Sequence, residues 1–267
     1  MVLVSLLSCG FAIDCDPEWK EFLEQLWEPF LVEERPSDAI EVKITNEASG
    51  WLLTFPDYKA HVIDPWILAL TLRTAISARA LKRSAGFFGV HASVATRDDV
   101  VLLIAGQARS GKTTLLLNLV LDGWTYGSDD VAPVSIDSGE VRAAPKPIHV
   151  RQPGRWKGLT DRWTAPEWVP PPTDEWLMPA SVFGRRRVLT VKPTHIVFPH
   201  FEPDGDPHYR QISLAEGIAL CGAEVQGGGP AGATLRGLHN MCSNTRVATL
   251  RYASTEQSQR LLGDFLE

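Results

Sequence analysis

Val100-Val101-Leu102-Leu103-Ile104-Ala105-Gly106-Gln107-Ala108-Arg109-Ser110-Gly111-Lys112-Thr113-Thr114-Leu115 joins an apolar run to a glycine-bounded loop, and the loop to a helix-like run that continues to Leu121. The loop fits G-x-x-x-x-G-K-[ST] in the setting that gives the pattern meaning, a strand before and a helix after. Average residue frequencies give roughly one chance match per hundred chains of this length, and the flanking elements make chance rarer still. Each residue type has its own reason. Gly106 and Gly111 allow a tight turn whose backbone N–H groups face an anion. Lys112 carries a full positive charge to the β- and γ-phosphates, the helix N-terminus adds unpaired N–H groups, and the Thr113 hydroxyl suits Mg²⁺. Gly106 to Thr114 are therefore read as the binding loop for ATP or GTP.

The rest of the composition limits the classes of function. The chain has 267 residues, 44% hydrophobic and 22% charged, enough for one large or two small domains with a substantial core. A net charge of -6 argues against a broad nucleic-acid footprint or a polybasic membrane surface. Cys9, Cys15, Cys221 and Cys242 show no C-x-x-C spacing, so neither a metal knuckle nor a disulfide framework is indicated, and a reducing, cytoplasmic setting is expected. The apolar first dozen residues lack the preceding Lys or Arg of a signal segment and read as a first strand. No other stretch is long and apolar enough to span a bilayer.

Asp16-Pro17-Glu18 reads as a helix start running toward Trp27, with Pro29 ending it. Ala39 to Thr45, Trp51 to Phe55 and Tyr58 to Ile63 read as strands of an antiparallel meander. Asp64-Pro65 repeats the cap signal before a helix from Trp66 to Lys82. These elements form an α+β portion over residues 1–84. A second domain is expected over 85–267, opening with one strand from Phe87 to Thr96. It contains an irregular Trp- and Pro-rich loop at 153–177 that includes the tract Pro170-Pro171-Pro172, either a binding cleft or a cluster over the core. Gly227-Gly228-Gly229-Pro230 reads as a hinge between two helices, and the chain closes with a strand at Arg246 to Tyr252 and a helix from Ser254.

A second site of chemistry follows from chain geometry. The helix after the loop carries the chain some 15 Å away at roughly 1.5 Å per residue, and Asp122-Gly123 turns it. A strand covering about 3.3 Å per residue needs Trp124 to Ser128 to come back. Asp129 and Asp130 then emerge beside the loop, where one carboxylate can hold Mg²⁺ with Thr113 and the other can take a proton from an attacking hydroxyl.

The combination of His91-Ala92-Ser93, Gly106 to Thr113, and Gly123 to Val131 with its Asp129-Asp130 pair resembles the HPr kinase/phosphorylase C-terminal domain and its stand-alone relatives, including lasso-peptide kinases. Pro145-Lys146-Pro147-Ile148, Thr194 to Phe198 and Ser213-Leu214-Ala215-Glu216 are similar in flavour. The resemblance spans roughly residues 85 to 220. It implies an α/β fold, a P-loop-containing mixed sheet of the HPr kinase and phosphoenolpyruvate-carboxykinase type. It also implies that Asp129 is the general base, assisted by His91, and that Asp130 belongs to the metal shell with Thr113.

The sequence departs from the family where an acidic signature segment would follow the aspartate pair. Pro145 to Gly158 is basic instead, with Lys146, Arg151, Arg155 and Lys157. The expectation is a kinase that transfers the γ-phosphoryl of ATP to the hydroxyl of a Ser or Thr in a peptide or protein other than HPr. A small alcohol or sugar acceptor, and a nucleotide-dependent switch with no acceptor, stay open as alternatives, as does self-association. Lys146, Arg185 and Arg186 are the candidate substrate-side cations, against the plainer readings of a rigid turn and a solvated loop.

Overall fold

The computed structural model describes residues 1–169, 175–184, 188–227 and 229–267. The chain divides into two units, Met1–Ser84 with Lys146–Arg186, and Ala85–Pro145 with Arg187–Glu267. Residues 146–186 group with residues 1–84 and interrupt the unit formed by the rest of 85–267. The reason lies in aromatic burial. Trp168 meets Trp19 edge-on at 5.0 Å and Trp163 stacks on Phe22 at 6.4 Å, so the segment completes a core that residues 1–84 begin.

The first unit opens with β1 (Val2–Leu6) and β2 (Cys9–Asp14), an antiparallel hairpin. Sequence reading had one strand here. Leu7 and Ser8 make the turn with φ of 53° and 65°, a left-handed conformation that these residue types seldom announce. Then come α1 (Pro17–Leu26), β3 (Ile40–Glu47), β4 (Gly50–Phe55), β5 (Tyr58–Val62) and α2 (Pro65–Arg83). The α2 start follows the sequence signal closely. Asp64 accepts hydrogen bonds from Trp66 N at 2.7 Å and Ile67 N at 3.1 Å, which satisfies two otherwise unpaired helix donors. Asp16 before α1 makes no such side-chain bond, and the helix begins there on Pro17 alone. The sheet runs β1-β2-β3-β4-β5, parallel only between β2 and β3.

The second unit begins with β6 (Phe87–Val90) and β7 (Ala92–Arg97), followed by β8 (Val100–Ala105), α3 (Lys112–Leu121), β9 (Thr125–Ser128), β10 (Ala132–Ser135) and β11 (Val141–Ala143). Residues 146–186 of the first unit carry β12 (Ile148–Arg151), α4 (Lys157–Thr160) and β13 (Glu175–Met178), with β12 and β13 antiparallel. The second unit resumes with β14 (Leu189–Val191), β15 (His195–Phe201), β16 (His208–Gln211), α5 (Leu214–Ala223), β17 (Val225–Gln226), α6 (Ala231–Cys242), β18 (Arg246–Tyr252) and α7 (Thr255–Leu266). Helices α5 and α7 start with reciprocal capping boxes, Ser213 with Glu216 and Ser254 with Gln257.

Two sheets build this unit, β14-β11-β10-β6-β17 and β16-β18-β15-β8-β7-β9. In the second, β8, β15 and β18 are parallel, and β7 and β16 run against their neighbours. The single strand expected from Phe87 to Thr96 is broken at His91, and its halves lie in different sheets. Apolar faces of both sheets share one core that includes Phe88, Val94, Leu103, Val134, Ile196 and Met241. Each such side chain contributes about 1.5–3 kcal/mol on leaving water. Gly237 lets α6 approach this core, since a Cβ there would sit 2.5 Å from the Phe88 ring. Antiparallel β7 fixes the functional end of the sheet: Ala92 pairs with Ala105 and Val94 with Ser128, so β8 and β9 finish at the same end, on either side of β7. No helix among the described residues is long and apolar enough to cross a membrane.

Candidate functional site

The buried run of β8 ends at Ala105, and the chain turns through residues 106–111 with positive φ at Gly106 (142°), Arg109 (69°) and Gly111 (101°). Gly111 caps α3, whose Leu115 N donates to Gly111 O at 2.8 Å. A Cβ on Gly111 would collide with the Tyr252 hydroxyl, so conformation and space both require glycine there. Lys112 is buried, and its Nζ donates to Gln107 O at 2.7 Å, folding the side chain back over its own loop. Burial pushes its pKa below the ordinary lysine range, against the pull of Asp129, Glu224 and Asp130. Ser110 Oγ, in the same loop, is buried with no hydrogen-bond partner among the described residues.

Asp129 follows β9 directly and is buried. Its Oδ1 accepts from Ser93 Oγ at 2.5 Å, and both of its oxygens lie 3.3 Å from Thr113 Oγ1. Asp130 has φ of 73°, and this left-handed turn sends the second carboxylate elsewhere. Its Oδ1 lies 3.6 Å from His91 Nε2. The other ring nitrogen, His91 Nδ1, is 3.5 Å from Glu224 Oε2, and His91 N donates to Glu224 O at 2.8 Å. The His91 carbonyl in turn accepts from Gly106 N at 3.3 Å. The break between β6 and β7 thus links the first residue of the loop to the end of α5.

The structure brings together Lys112, Thr113, Asp129, Asp130 and His91, but with partners exchanged. His91 stands beside Asp130, where the resemblance implied Asp129. Thr113 pairs with Asp129, where it implied Asp130. Ser93 and Glu224 complete the arrangement and were not assigned roles from sequence. Ser93 could have been found, because the strand expected over Phe87 to Thr96 puts it two residues beyond His91 and on the same side. Glu224 sits at the end of α5 with nothing in its local sequence to mark it.

The substrate-side candidates fare differently. Lys146 is buried in the first unit. Arg185 and Arg186 lie outside the described residues, as does the proline tract at 170–172. The Trp-rich segment contributes both to packing and to a groove. Trp163 and Trp168 pack on the core, while Trp163 and Trp176 also line a groove of about 470 Å³ with Thr160 and Asp161.

Among the described residues there is no group of three or more His, Cys, Asp or Glu side chains suited to holding a metal on their own. The hydroxyl–carboxylate pair of Thr113 and Asp129 fits a different need. Mg²⁺ is commonly held by one or two protein oxygens, with water and substrate phosphates supplying the rest. A buried ammonium, an unpartnered Ser110 hydroxyl and a helix N-terminus on the same loop fit a polyphosphate anion.

No protein-family model matches the chain, and no curated protein matches it. Among solved structures, the Hpr(Ser) kinase/phosphatase from Coxiella burnetii is similar over 66% of this chain and 94% of that one, with 13% identity and a TM-score of 0.33. A likeness at that level decides nothing about chemistry, which has to come from the side chains themselves.

Proposed function

We propose that this protein is a kinase that transfers the γ-phosphoryl of ATP or GTP to a hydroxyl, with a Ser or Thr of a peptide or protein as acceptor. The observation that carries the reading is the division of labour between two adjacent carboxylates: Asp129 faces the Thr113 hydroxyl and Asp130 faces His91.

In this reading Thr113 and Asp129 would hold Mg²⁺, which when bound would neutralise charge on the phosphates. Ser93 donates to Asp129 Oδ1 and fixes the carboxylate's orientation. Lys112 leaves its carbonyl partner for the phosphates and offsets the charge that grows on the departing diphosphate. Asp130 is the general base. It accepts the acceptor hydroxyl's proton as the oxygen forms its bond to phosphorus and the bond to the β-phosphate oxygen breaks. Glu224 holds the His91 backbone through its carbonyl and faces the imidazole with its carboxylate, and His91 presents Nε2 to Asp130. The roles of Asp129 and Asp130 are therefore the reverse of those the resemblance implies.

The acceptor class rests on the pair's chemistry, since a carboxylate base beside a metal-held phosphate suits a neutral hydroxyl. Incubation with γ-labelled ATP, Mg²⁺ and peptides carrying Ser or Thr, followed by mass spectrometry, tests it. Label on a side-chain hydroxyl supports the reading. Release of labelled phosphate with every peptide left unmodified would instead make the protein a nucleotide hydrolase.

A further inference from the structure

The parallel strands β15 and β18 end in register at Phe201 and Tyr252. The Tyr252 hydroxyl and the Phe201 Cβ both lie beside Gly111 of the phosphate loop. A Cβ on Gly111 would strike the Tyr252 hydroxyl and come 4.0 Å from Phe201 Cβ. The two rings are 5.9 Å apart at 60°, an edge-to-face arrangement in which each holds the other's orientation. Their exposures differ sharply. Tyr252 is 3% exposed, whereas Phe201 keeps 48% of its surface open.

Core packing does not account for Phe201. A phenylalanine left half in water forgoes much of its hydrophobic stabilisation, and this one is braced from one side by a buried tyrosine. Its place in the fold points to a ligand. The carboxyl ends of β8, β15 and β18 lie at one edge of the sheet, because β15 is parallel to both of its neighbours. Open α/β sheets take their ligands at such an edge. The loop that suits phosphates leaves β8 there, and Phe201 leaves β15 next to it.

We propose that Phe201, held by Tyr252, is the stacking platform for the purine ring of the bound nucleotide. The base lies against the ends of β15 and β18 while the phosphates lie in the loop at 106–113. This assignment rests on the nucleotide reading of that loop and adds the second half of the ligand to it. A flat ring recognises any base by its π-face, so the platform favours the larger purines over pyrimidines and does not select adenine over guanine.

Two ligands separate the platform from the loop: ATP, which has a base, and inorganic tripolyphosphate, which has none. Calorimetric affinities of both are measured for the wild type, Phe201→Ala and Phe201→Trp. Loss of one base–aromatic stack corresponds to a roughly 5- to 150-fold weakening. Phe201→Ala should weaken ATP within that range and leave tripolyphosphate unchanged. Phe201→Trp should retain ATP affinity and show tryptophan fluorescence quenched by ATP and not by tripolyphosphate. Equal ATP affinity in the wild type and Phe201→Ala overturns the platform while leaving the loop assignment standing. Failure of the wild type to bind either ligand overturns both. Equal weakening of both ligands in Phe201→Ala also overturns the platform, because it marks Phe201 as a support for the loop.

Discussion

Thr113 Oγ1 lies 3.3 Å from each carboxylate oxygen of Asp129, while the neighbouring Asp130 reaches His91 at 3.6 Å. Two consecutive aspartates thus face two different partners. Thr113→Val, which keeps the side-chain shape and removes the hydroxyl, should raise the Mg²⁺ concentration needed for half-maximal transfer by roughly 10- to 100-fold. Titrating Mg²⁺ at saturating nucleotide reads this directly. An unchanged Mg²⁺ requirement would remove Thr113 from the metal shell.

Lys112 supplies a pH dependence. Burial holds its pKa in the free protein below the usual 10.5, and a polyphosphate beside it would raise that pKa. The binding form is the charged one, so affinity is full below the free-protein pKa and falls as pH rises from there toward the bound-state value. Nucleotide affinity should therefore weaken on the alkaline side before an ordinary lysine titrates, and binding in that window should take up a proton. Calorimetry in two buffers of different ionisation enthalpy measures the uptake. Weakening with no proton uptake would assign the effect to another group.

Glu224 acts through His91, so its removal should show in turnover and not in nucleotide binding. Glu224→Gln keeps the backbone carbonyl that holds His91 N and loses the charge facing Nδ1. The expected result is a fall in kcat of about tenfold, less than the roughly 10²- to 10⁴-fold contribution of a general base because Glu224 acts through His91. KM for the nucleotide should stay near wild type, and Glu224→Asp should recover part of the rate. A matching loss of nucleotide affinity would mean that Glu224 shapes the loop.

Stability has its own test at Gly237, where α6 crosses the core. Gly237→Ala would place a methyl 2.5 Å from the Phe88 ring and 3.1 Å from the Ile136 Cα. Overpacking of this kind costs typically 1–3 kcal/mol, offset by up to about 1 kcal/mol from alanine's helix propensity. Chemical denaturation should show a net loss. A gain would mean that the core shifts freely to accommodate the methyl.

The residues explain why part of this was legible in the sequence. A glycine-bounded loop after an apolar strand and the Asp64-Pro65 cap are local signals. The helix and strand lengths between Lys112 and Asp129 are fixed by backbone rise alone. What could not be read depends on contacts between distant segments or on left-handed backbone at ordinary residues. Asp130 turns with φ of 73°, so which of two adjacent carboxylates meets His91 is a matter of one dihedral. Leu7 and Ser8 turn the first hairpin in the same way. The break at His91 is held by Glu224 and Gly106, and Trp163 and Trp168 draw 146–186 to the first unit. Neither set of partners is near in sequence.

The exchange of roles between Asp129 and Asp130 is the central claim, and one paired measurement tests it. Phosphoryl transfer and Mg²⁺-dependent nucleotide affinity are measured for Asp130→Asn and Asp129→Asn. Asp130→Asn should lose transfer by roughly 10²- to 10⁴-fold, the range for a general base, with Mg²⁺-dependent affinity intact. Asp129→Asn should lose the Mg²⁺ dependence itself. Full transfer by Asp130→Asn, or the opposite assignment of the two defects, would contradict the account.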